Sequence, residues 1–444
     1  MSVLERIRES SPEARGNSGS SEVYRAFRNS LRTELVDRLG LDTIASMLSS
    51  EDMAQVRSEL SVTCAAILNG QHYAPLLHEE RVRLTNEVLD GICGLGPIQS
   101  LLDDDSVSEV IINGPDTIFF ERGGQLCLAD ASFESAEQVL MIIDRILSPL
   151  GRRLDRANPI VNARLSNGDR VNAVSDPVAI DGPAVTIRKF SNRITSLDQL
   201  VELGSLPRWY AQLLTWAVRA RKDIAVAGGT GSGKTTLLNA LSCEIDRKER
   251  IVTIEDSAEL RFDSHPDVVR LEARDASIEG TGEITIRDLV KNALRMRPDR
   301  IVVGEVRSGE TIDMLQAMNS GHDGSLTTLH AGTPDEAILR LVLMARFGMD
   351  LPTDIIEEQI ATALDLLVMS NRFPDGSRRI TSLAEVSRAE DGGVRLEECV
   401  SYDDATRTWV LAREPTFLSS AVEAGVISKE EVERWRSSFA HRAA

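Results

Sequence analysis

An α/β fold with a mostly parallel sheet, preceded by a small α+β domain and an N-terminal helical segment, is what this 444-residue sequence predicts. Three observations predict it. A buried strand pattern, Ile224-Ala225-Val226-Ala227, runs into the glycine-rich stretch Gly228-Gly229-Thr230-Gly231-Ser232-Gly233-Lys234-Thr235-Thr236 and out into an amphipathic helix starting at Leu237-Leu238. Strand and helix patterns alternate beyond residue 206, the order that builds a parallel sheet with nucleotide-sized ligands at its carboxyl edge. Between about 95 and 192 the pattern is different, with short strand-like runs separated by turn residues and one amphipathic helix.

The elements follow in chain order. Residues 9–20 are rich in Ser, Gly and Pro and read as a flexible lead-in. Tyr24, Phe27, Leu31 and Leu35 recur at helical spacing, and Gly40 stands where a C′ glycine ends such a helix. Two more helices are expected near 52–68 and 78–92. The change at about 95 brings strands at Val107–Asn113 and Thr117–Glu121, joined by Asn113-Gly114-Pro115-Asp116. A helix over 134–150 places Val139, Ile142, Ile143 and Ile146 on one face, and strands are expected at 159–165, 169–174 and 184–190. After Leu206-Pro207, strands are expected at 223–227, 250–255, 300–304, 324–329 and 364–369. Thr285-Ile286-Arg287-Asp288 is a capping-box start for a helix carrying Leu289, Ala293, Leu294 and Met296. The tail beyond 378 reads as a short β-hairpin region with a helix at 428–440. The expected domains are a flexible terminus over 1–20, a helical bundle over 21–92, an α+β domain over 93–200 and an α/β domain over 201–444.

Composition narrows the class. The chain carries 50 Lys+Arg against 69 Asp+Glu, a net charge of −19, which opposes a general nucleic-acid binder. Five scattered cysteines, at 64, 93, 127, 243 and 399, have no metal or redox spacing and fit a reducing compartment. No apolar run reaches the roughly 18 residues of a spanning helix, and Met1–Arg6 opens without a signal-peptide core. The expectation is a cytoplasmic protein that meets membranes through partners.

The chemistry starts at the glycine-rich stretch, which fits G-x-x-x-x-G-K-[ST]. Gly229, Thr230, Gly231, Ser232 and Gly233 let backbone N–H groups wrap a phosphate as a nest, reinforced by the positive end of the following helix. Lys234 brings a cation to the β- and γ-oxygens, Thr235 offers a hydroxyl to Mg²⁺, and Thr236 completes the loop. Hydrolysis of ATP also needs acids that order water and metal. Two strand ends supply them: Glu255-Asp256-Ser257-Ala258-Glu259, and Glu305 after Arg300–Val303. Gly304 sits where an Asp is usual, so metal duty falls on Glu305 or on the acids at 255–259. A third strand, with Thr327 and Thr328, ends in His330, an imidazole within reach of a γ-phosphate; His322 precedes it.

Taken together, the loop, "IEDSAEL", "RPDRIVVGEVR" and "GHDGSLTTLHA" resemble the secretion-superfamily ATPases of type II secretion, type IV pili and type IV secretion. Within that group, "GLGPIQSLLDDDSVSEVIINGPDTIFFERGG", "GRRLDRANPIVNARLSNGDRVNAV", "DGPAVTIRKF" and "VKNALRMRPDR" are similar to the CpaF/TadA-type ATPases of tight-adherence pili. The resemblance covers about 90 to 390. It implies a RecA-like phosphate-loop domain behind a PAS-like clamp domain, a homo-hexameric ring, ATP and Mg²⁺ as cofactors, and pilus platform proteins of the inner membrane as partners. It also implies roles: Glu259 as general base or water-positioning residue with Glu255 nearby, Thr235, Glu255 and Glu305 at the metal, and His330 as γ-phosphate sensor. Arg170 in "GDRVN" and Arg188 in "TIRKF" would close over the phosphates, because transition-state charge needs cations delivered on closure. The function so implied is ATP-driven pilus assembly. Its alternative is the same engine moving effectors or DNA in a type IV or type II secretion system. A small-molecule kinase would need an acceptor pocket and lid, and an inert nucleotide-gated scaffold would not need Glu259, Glu305 and His330.

Overall fold

The structure, a computed structural model, describes residues 18–48, 52–165, 167–189, 196–262, 265–274, 276, 281–390 and 392–440. The chain divides into two compact units, 1–190 and 191–444.

The first unit opens with α1 (Ser18–Leu39), α2 (Leu41–Leu48), α3 (Met53–Leu68) and α4 (His78–Cys93). Their apolar stripes meet in one cluster built on Leu31, Leu35, Leu60, Cys64, Tyr73, Leu84 and Leu89. Asp52 starts α3 by accepting the Gln55 N–H at 3.0 Å. The short α5 (Gln99–Asp103) leads to β1 (Val107–Asn113), β2 (Thr117–Arg122) and β3 (Gln125–Leu128), then α6 (Ala136–Leu147), β4 (Ile160–Arg164), β5 (Arg170–Val174) and β6 (Ala184–Arg188). The strands form an antiparallel sheet in the order β3-β2-β1-β6-β5-β4. The expected stripe on α6, Val139, Ile142, Ile143 and Ile146, buries against Val110, Ile112, Val171 and Ile187.

The second unit contains α7 (Leu197–Glu202), α8 (Arg208–Arg219), β7 (Ile224–Gly228), α9 (Lys234–Ser242), β8 (Ile251–Glu255), β9 (Val268–Glu272), α10 (Ile286–Ala293), β10 (Arg300–Val303), α11 (Glu310–Met318), β11 (Leu326–His330), α12 (Pro334–Gly348), α13 (Thr353–Ala363), β12 (Leu366–Arg372), β13 (Arg378–Arg388), β14 (Val394–Asp403), β15 (Thr408–Leu411), α14 (Phe417–Glu423) and α15 (Lys429–Ala440). Its nine strands run in the order β15-β14-β13-β12-β7-β11-β10-β8-β9. The six from β12 to β9 pair in parallel, and β13 to β15 add an antiparallel flank. The sheet is buried on both faces. On β7, Ile224 and Val226 face one apolar cluster, and Ala225 and Ala227 face the other. That is why the strand reads as a continuous apolar run rather than an alternation.

Several expectations need correction. Of the lead-in expected over 9–20, residues 9–17 lie outside the described residues, and α1 begins at Ser18. The region beyond 378 is a hairpin as expected but not a short one: β13 and β14 are 11 and 10 residues long and extend the main sheet. Three strands were not expected. β3, β9 and β15 are edge strands of four or five residues with exposed or half-buried side chains, so their hydrophobic signal is weak. The capping box at Thr285 is present as expected, with Asp288 returning to the Thr285 N–H at 3.0 Å.

At the amino edge of the parallel sheet, Asp223 is 5% exposed. Its Oδ1 accepts the Ser325 N–H at 2.8 Å, and its own N–H donates to Asp365 Oδ2 at 2.9 Å. Burial, with Asp365 nearby, pushes its carboxyl up to about 8. The native state therefore keeps a proton that the unfolded chain releases near pH 4. This contribution to stability is fully present below about pH 4 and is lost as pH rises to about 8. Melting curves from pH 5 to 9 should show the wild type losing stability with rising pH and Asp223→Asn losing less. The gap between the two slopes should exceed about 2–4 °C, the shift produced by one kcal/mol in a domain of this size. Parallel curves would remove Asp223 as the source.

Candidate active site

Register explains how residues 100 positions apart meet. In the parallel pairing, His330 at the end of β11 lies beside Gly228 at the end of β7. Val303 at the end of β10 pairs with Thr327 on one side and Ile254 of β8 on the other. The residues that follow these strands, the loop 229–233, Gly304-Glu305 and the acids from Glu255, therefore emerge along one carboxyl edge. A crevice at that edge is where open α/β sheets bind ligands.

The geometry there is a chain of charge. Lys234, 7% exposed at the first turn of α9, donates to the Gly229 carbonyl at 3.0 Å. Its Nζ stands 3.4 Å from His330 Nδ1. His330 Nε2 is 2.8 Å from Glu305 Oε1, and Glu305 Oε2 accepts from Arg307 Nε at 2.7 Å. Arg307 also reaches Asp256, at 3.5 Å. Burial lowers the His330 pKa; Glu305 pulls it back up, and Lys234 and Arg307 press it further down. A neutral imidazole is thereby favoured, able to accept at one nitrogen and donate at the other.

Glu255 is the deepest acid of the group, 2% exposed. Its Oε2 accepts the N–H groups of Glu259 at 2.6 Å and Leu260 at 2.9 Å. Its Oε1 is buried with no hydrogen-bond partner. Desolvation pushes this carboxyl up to about 7, although those two N–H bonds pull the other way. Glu255 also accounts for Gly304. A Cβ at 304 would stand 3.0 Å from Glu255 Cγ, so Glu255 crowds the position where an Asp is usual and would have to give way by a few tenths of an ångström. Glu259 is partly exposed at the head of its loop. Ser232 Oγ, 1% exposed in the glycine-rich loop, is likewise without a hydrogen-bond partner.

Among the described residues no cluster of three or more His, Cys, Asp or Glu has the arrangement of a metal cage. The donors fit Mg²⁺ in its usual nucleotide form, held by phosphate oxygens and waters with one or two protein groups. Thr235, the first helical hydroxyl after Lys234, Glu305 just past β10 and Glu255 at the end of β8 are the residues that could hold it.

Arg170 and Arg188 belong to the first unit. They are direct cross-strand partners in β5 and β6, and Arg164 of β4 continues the row opposite Arg170. The same row runs on through Glu109, directly opposite Arg188, to Glu121 of β2. Sequence reasoning missed Arg164, which carries no motif of its own. It also missed Ser370, Arg372 and Arg378, which approach the glycine-rich loop from β12 and β13. His322 is not part of the charged chain; its Nδ1 lies 3.3 Å from the Ala317 carbonyl.

A strand, a glycine-rich loop and a helix at the centre of a mixed sheet, with acids and a histidine at the adjoining strand ends, define an α/β protein with a candidate site at its carboxyl edge. The chain belongs to the Type II/IV secretion system protein family, which matches residues 93–408. It is 34% identical over 308 residues to the conjugal transfer protein TrbB of Rhizobium radiobacter, covering 68% of this chain and 91% of that protein. It is 32% identical over 339 residues to the type IV secretion system protein VirB11 of Bartonella quintana, covering 68% and 94%. Among solved structures, the VirB11 ATPase of the Brucella suis type IV secretion system, crystallised with sulphate, aligns at 30% identity and a TM-score of 0.36, covering 65% of this chain and 95% of that one. Among the described residues no helix is long and apolar enough to cross a membrane.

Proposed function

We propose that this chain is an ATP hydrolase of RecA-like type that drives macromolecular transfer through a type IV secretion machine. The single observation that carries the reading is the contact chain Lys234–His330–Glu305–Arg307, which ties the phosphate loop to two neighbouring strand ends. Such a chain gives a triphosphate's outermost group something to displace. An anion on Lys234 would draw its ammonium from the Gly229 carbonyl, and His330 and Glu305 would feel the change directly.

In this reading the loop 229–236 binds ATP, and bound Mg²⁺ supplies charge neutralisation on the phosphate oxygens. Glu259 acts on the attacking water as general base or water-positioning residue, from the loop whose N–H groups Glu255 anchors beside the metal. Glu305 holds the metal's waters, and His330 reports the γ-phosphate. Arg170 and Arg188, carried on a separate unit, deliver charge on closure. The working form is a homo-hexameric ring at the cytoplasmic face of the inner membrane, attached through partner proteins.

The conjugal-transfer and VirB11 relatives support transfer as the task. A second reading, assembly of a tight-adherence pilus through inner-membrane platform proteins, is supported by the segments at 94–124, 151–174 and 181–190 quoted above. One experiment separates them. Cells carrying Lys234→Ala in place of the wild type are assayed for plasmid or effector transfer and for surface pilin. Transfer should fall by at least about 10³-fold, the order lost when phosphoryl-transfer charge is removed, with surface pilin unchanged. Loss of pilin with intact transfer would select the pilus reading, and loss of neither would remove both.

A further inference from the structure

The outer side of the phosphate loop is held from an unexpected direction. Ser370, 1% exposed near the end of β12, donates from Oγ to the Ser232 carbonyl at 2.7 Å. Arg378, the first residue of β13, donates from Nε to the Gly231 carbonyl at 2.8 Å. The approach is close throughout. A Cβ at Gly231 would stand 3.3 Å from Arg372 Nη1, one at Gly233 would stand 3.3 Å from Arg378 Cδ, and one at Gly228 would collide with the Ser370 carbonyl.

The hairpin that carries Arg378 is itself fixed. Phe373 donates its N–H to the Ser377 carbonyl at 2.8 Å, and Asp375 accepts from the Ser377 N–H at 2.9 Å. Arg379 lies over the Phe373 ring at 4.6 Å and reaches Tyr402 Oη at 2.7 Å. Arg372 and Arg378 are cross-strand partners, so the turn between them sets the direction from which Arg378 leaves the sheet.

The physical consequence follows from peptide geometry. The C=O and N–H of a trans peptide point in opposite directions. Fixing the carbonyls of Gly231 and Ser232 outward turns the N–H groups of Ser232 and Gly233 inward. The Ser232 N–H makes only a long contact, 3.4 Å, with the Gly229 carbonyl. A nest that is already turned toward its anion need not be ordered when the anion arrives.

We infer that Ser370 and Arg378 are positioning residues that pre-orient the phosphate loop, and that the β12–β13 hairpin thereby sets nucleotide affinity. The inference rests on the ATPase reading above. It makes the hairpin a ground-state device: it acts on the loop, which grips diphosphate and triphosphate alike, and not on the charge that develops during transfer.

The test uses the full chain with Mg-ADP as the probe. Titration calorimetry gives affinity, steady-state phosphate release gives kcat and KM, and hydrogen exchange reads the loop amides without nucleotide. Arg378→Ala should weaken ADP binding and raise KM about tenfold, the effect of one charge-assisted bond. It should leave kcat within about twofold and accelerate exchange at 231–234 but not in β7. Arg378→Lys, which keeps the charge but not the directed Nε–H, should not restore affinity. Ser370→Ala should shift affinity the same way, and it keeps the test decisive if Arg378→Ala fails to fold. ADP affinity within twofold of wild type in both alanine variants overturns the inference, as does full rescue by Lys or a loss confined to kcat. If the wild type hydrolyses ATP while the variants behave as wild type, only this inference falls. If the wild type binds no nucleotide, the ATPase reading falls with it.

Discussion

Replacing Lys234 with Ala should abolish ATP turnover, lowering kcat/KM by at least about 10³-fold, and should weaken nucleotide binding. Lys234 is the only cation shown touching both the loop carbonyl of Gly229 and the His330 ring among the described contacts, at 3.0 and 3.4 Å. It is almost wholly buried, so its charge acts through little intervening water. Each charge-assisted bond it makes to phosphate is worth roughly 1.5–3 kcal/mol, and the developing charge of phosphoryl transfer adds to that. The change also leaves the His330 ring without the ammonium beside it, while Glu305 keeps Arg307. Binding should fall less than turnover, because the loop amides and the start of α9 remain. Calorimetry with a non-hydrolysable ATP analogue, run beside phosphate release, reads both quantities. Wild-type turnover in Lys234→Ala would place the chemistry elsewhere.

The second large effect belongs to Glu305. Glu305→Gln should keep nucleotide affinity within a few-fold of wild type yet reduce turnover by about 10²–10³-fold, the range seen when one aligned electrostatic group is removed from an active site. The carboxylate is 17% exposed on its side chain; Arg307 holds Oε2, and Oε1 lies 2.8 Å from His330 Nε2 but has no hydrogen-bond partner. The amide preserves shape and the His330 contact but removes the negative charge that Arg307 and a metal's waters would share. Loss of affinity equal to the loss of turnover would instead make Glu305 a structural partner of His330. Arg307 makes that outcome testable: Arg307→Ala would then reproduce it.

Much of this site was legible in the sequence because the signals are local. The loop, Glu255, Glu305 and His330 each directly follow or end a buried strand, and strand ends at the carboxyl edge of a parallel sheet converge by construction. Arg170 and Arg188 are expected at the site only through resemblance; the register shows that they are cross-strand partners in β5 and β6. What was not legible depends on contacts between distant residues. The Ser370–Ser232 and Arg378–Gly231 bonds span 138 and 147 positions. Nothing in "MSNRFPDGSRR" says that its serine and arginine lean on a loop so far upstream. The difference between Glu255 and Glu259 was equally hidden. Both stand in one acidic run, and only burial shows that Glu255 lies beneath the loop with a raised pKa while Glu259 lends it a backbone N–H. The fold shows the same division: central strands with apolar runs were expected, whereas edge strands β3, β9 and β15 and the true length of β13 and β14 depend on neighbours.

The most direct test of the account is phosphate release against Mg-ATP concentration, measured on the full chain for wild type and Lys234→Ala in parallel. The account predicts a saturable curve for the wild type, with ADP and phosphate formed in equal amounts and activity lost when Mg²⁺ is chelated, and a flat line for Lys234→Ala. Phosphate release at the wild-type rate in the variant, or none from a wild-type chain that binds ATP and has been assembled at high protein concentration, would contradict it.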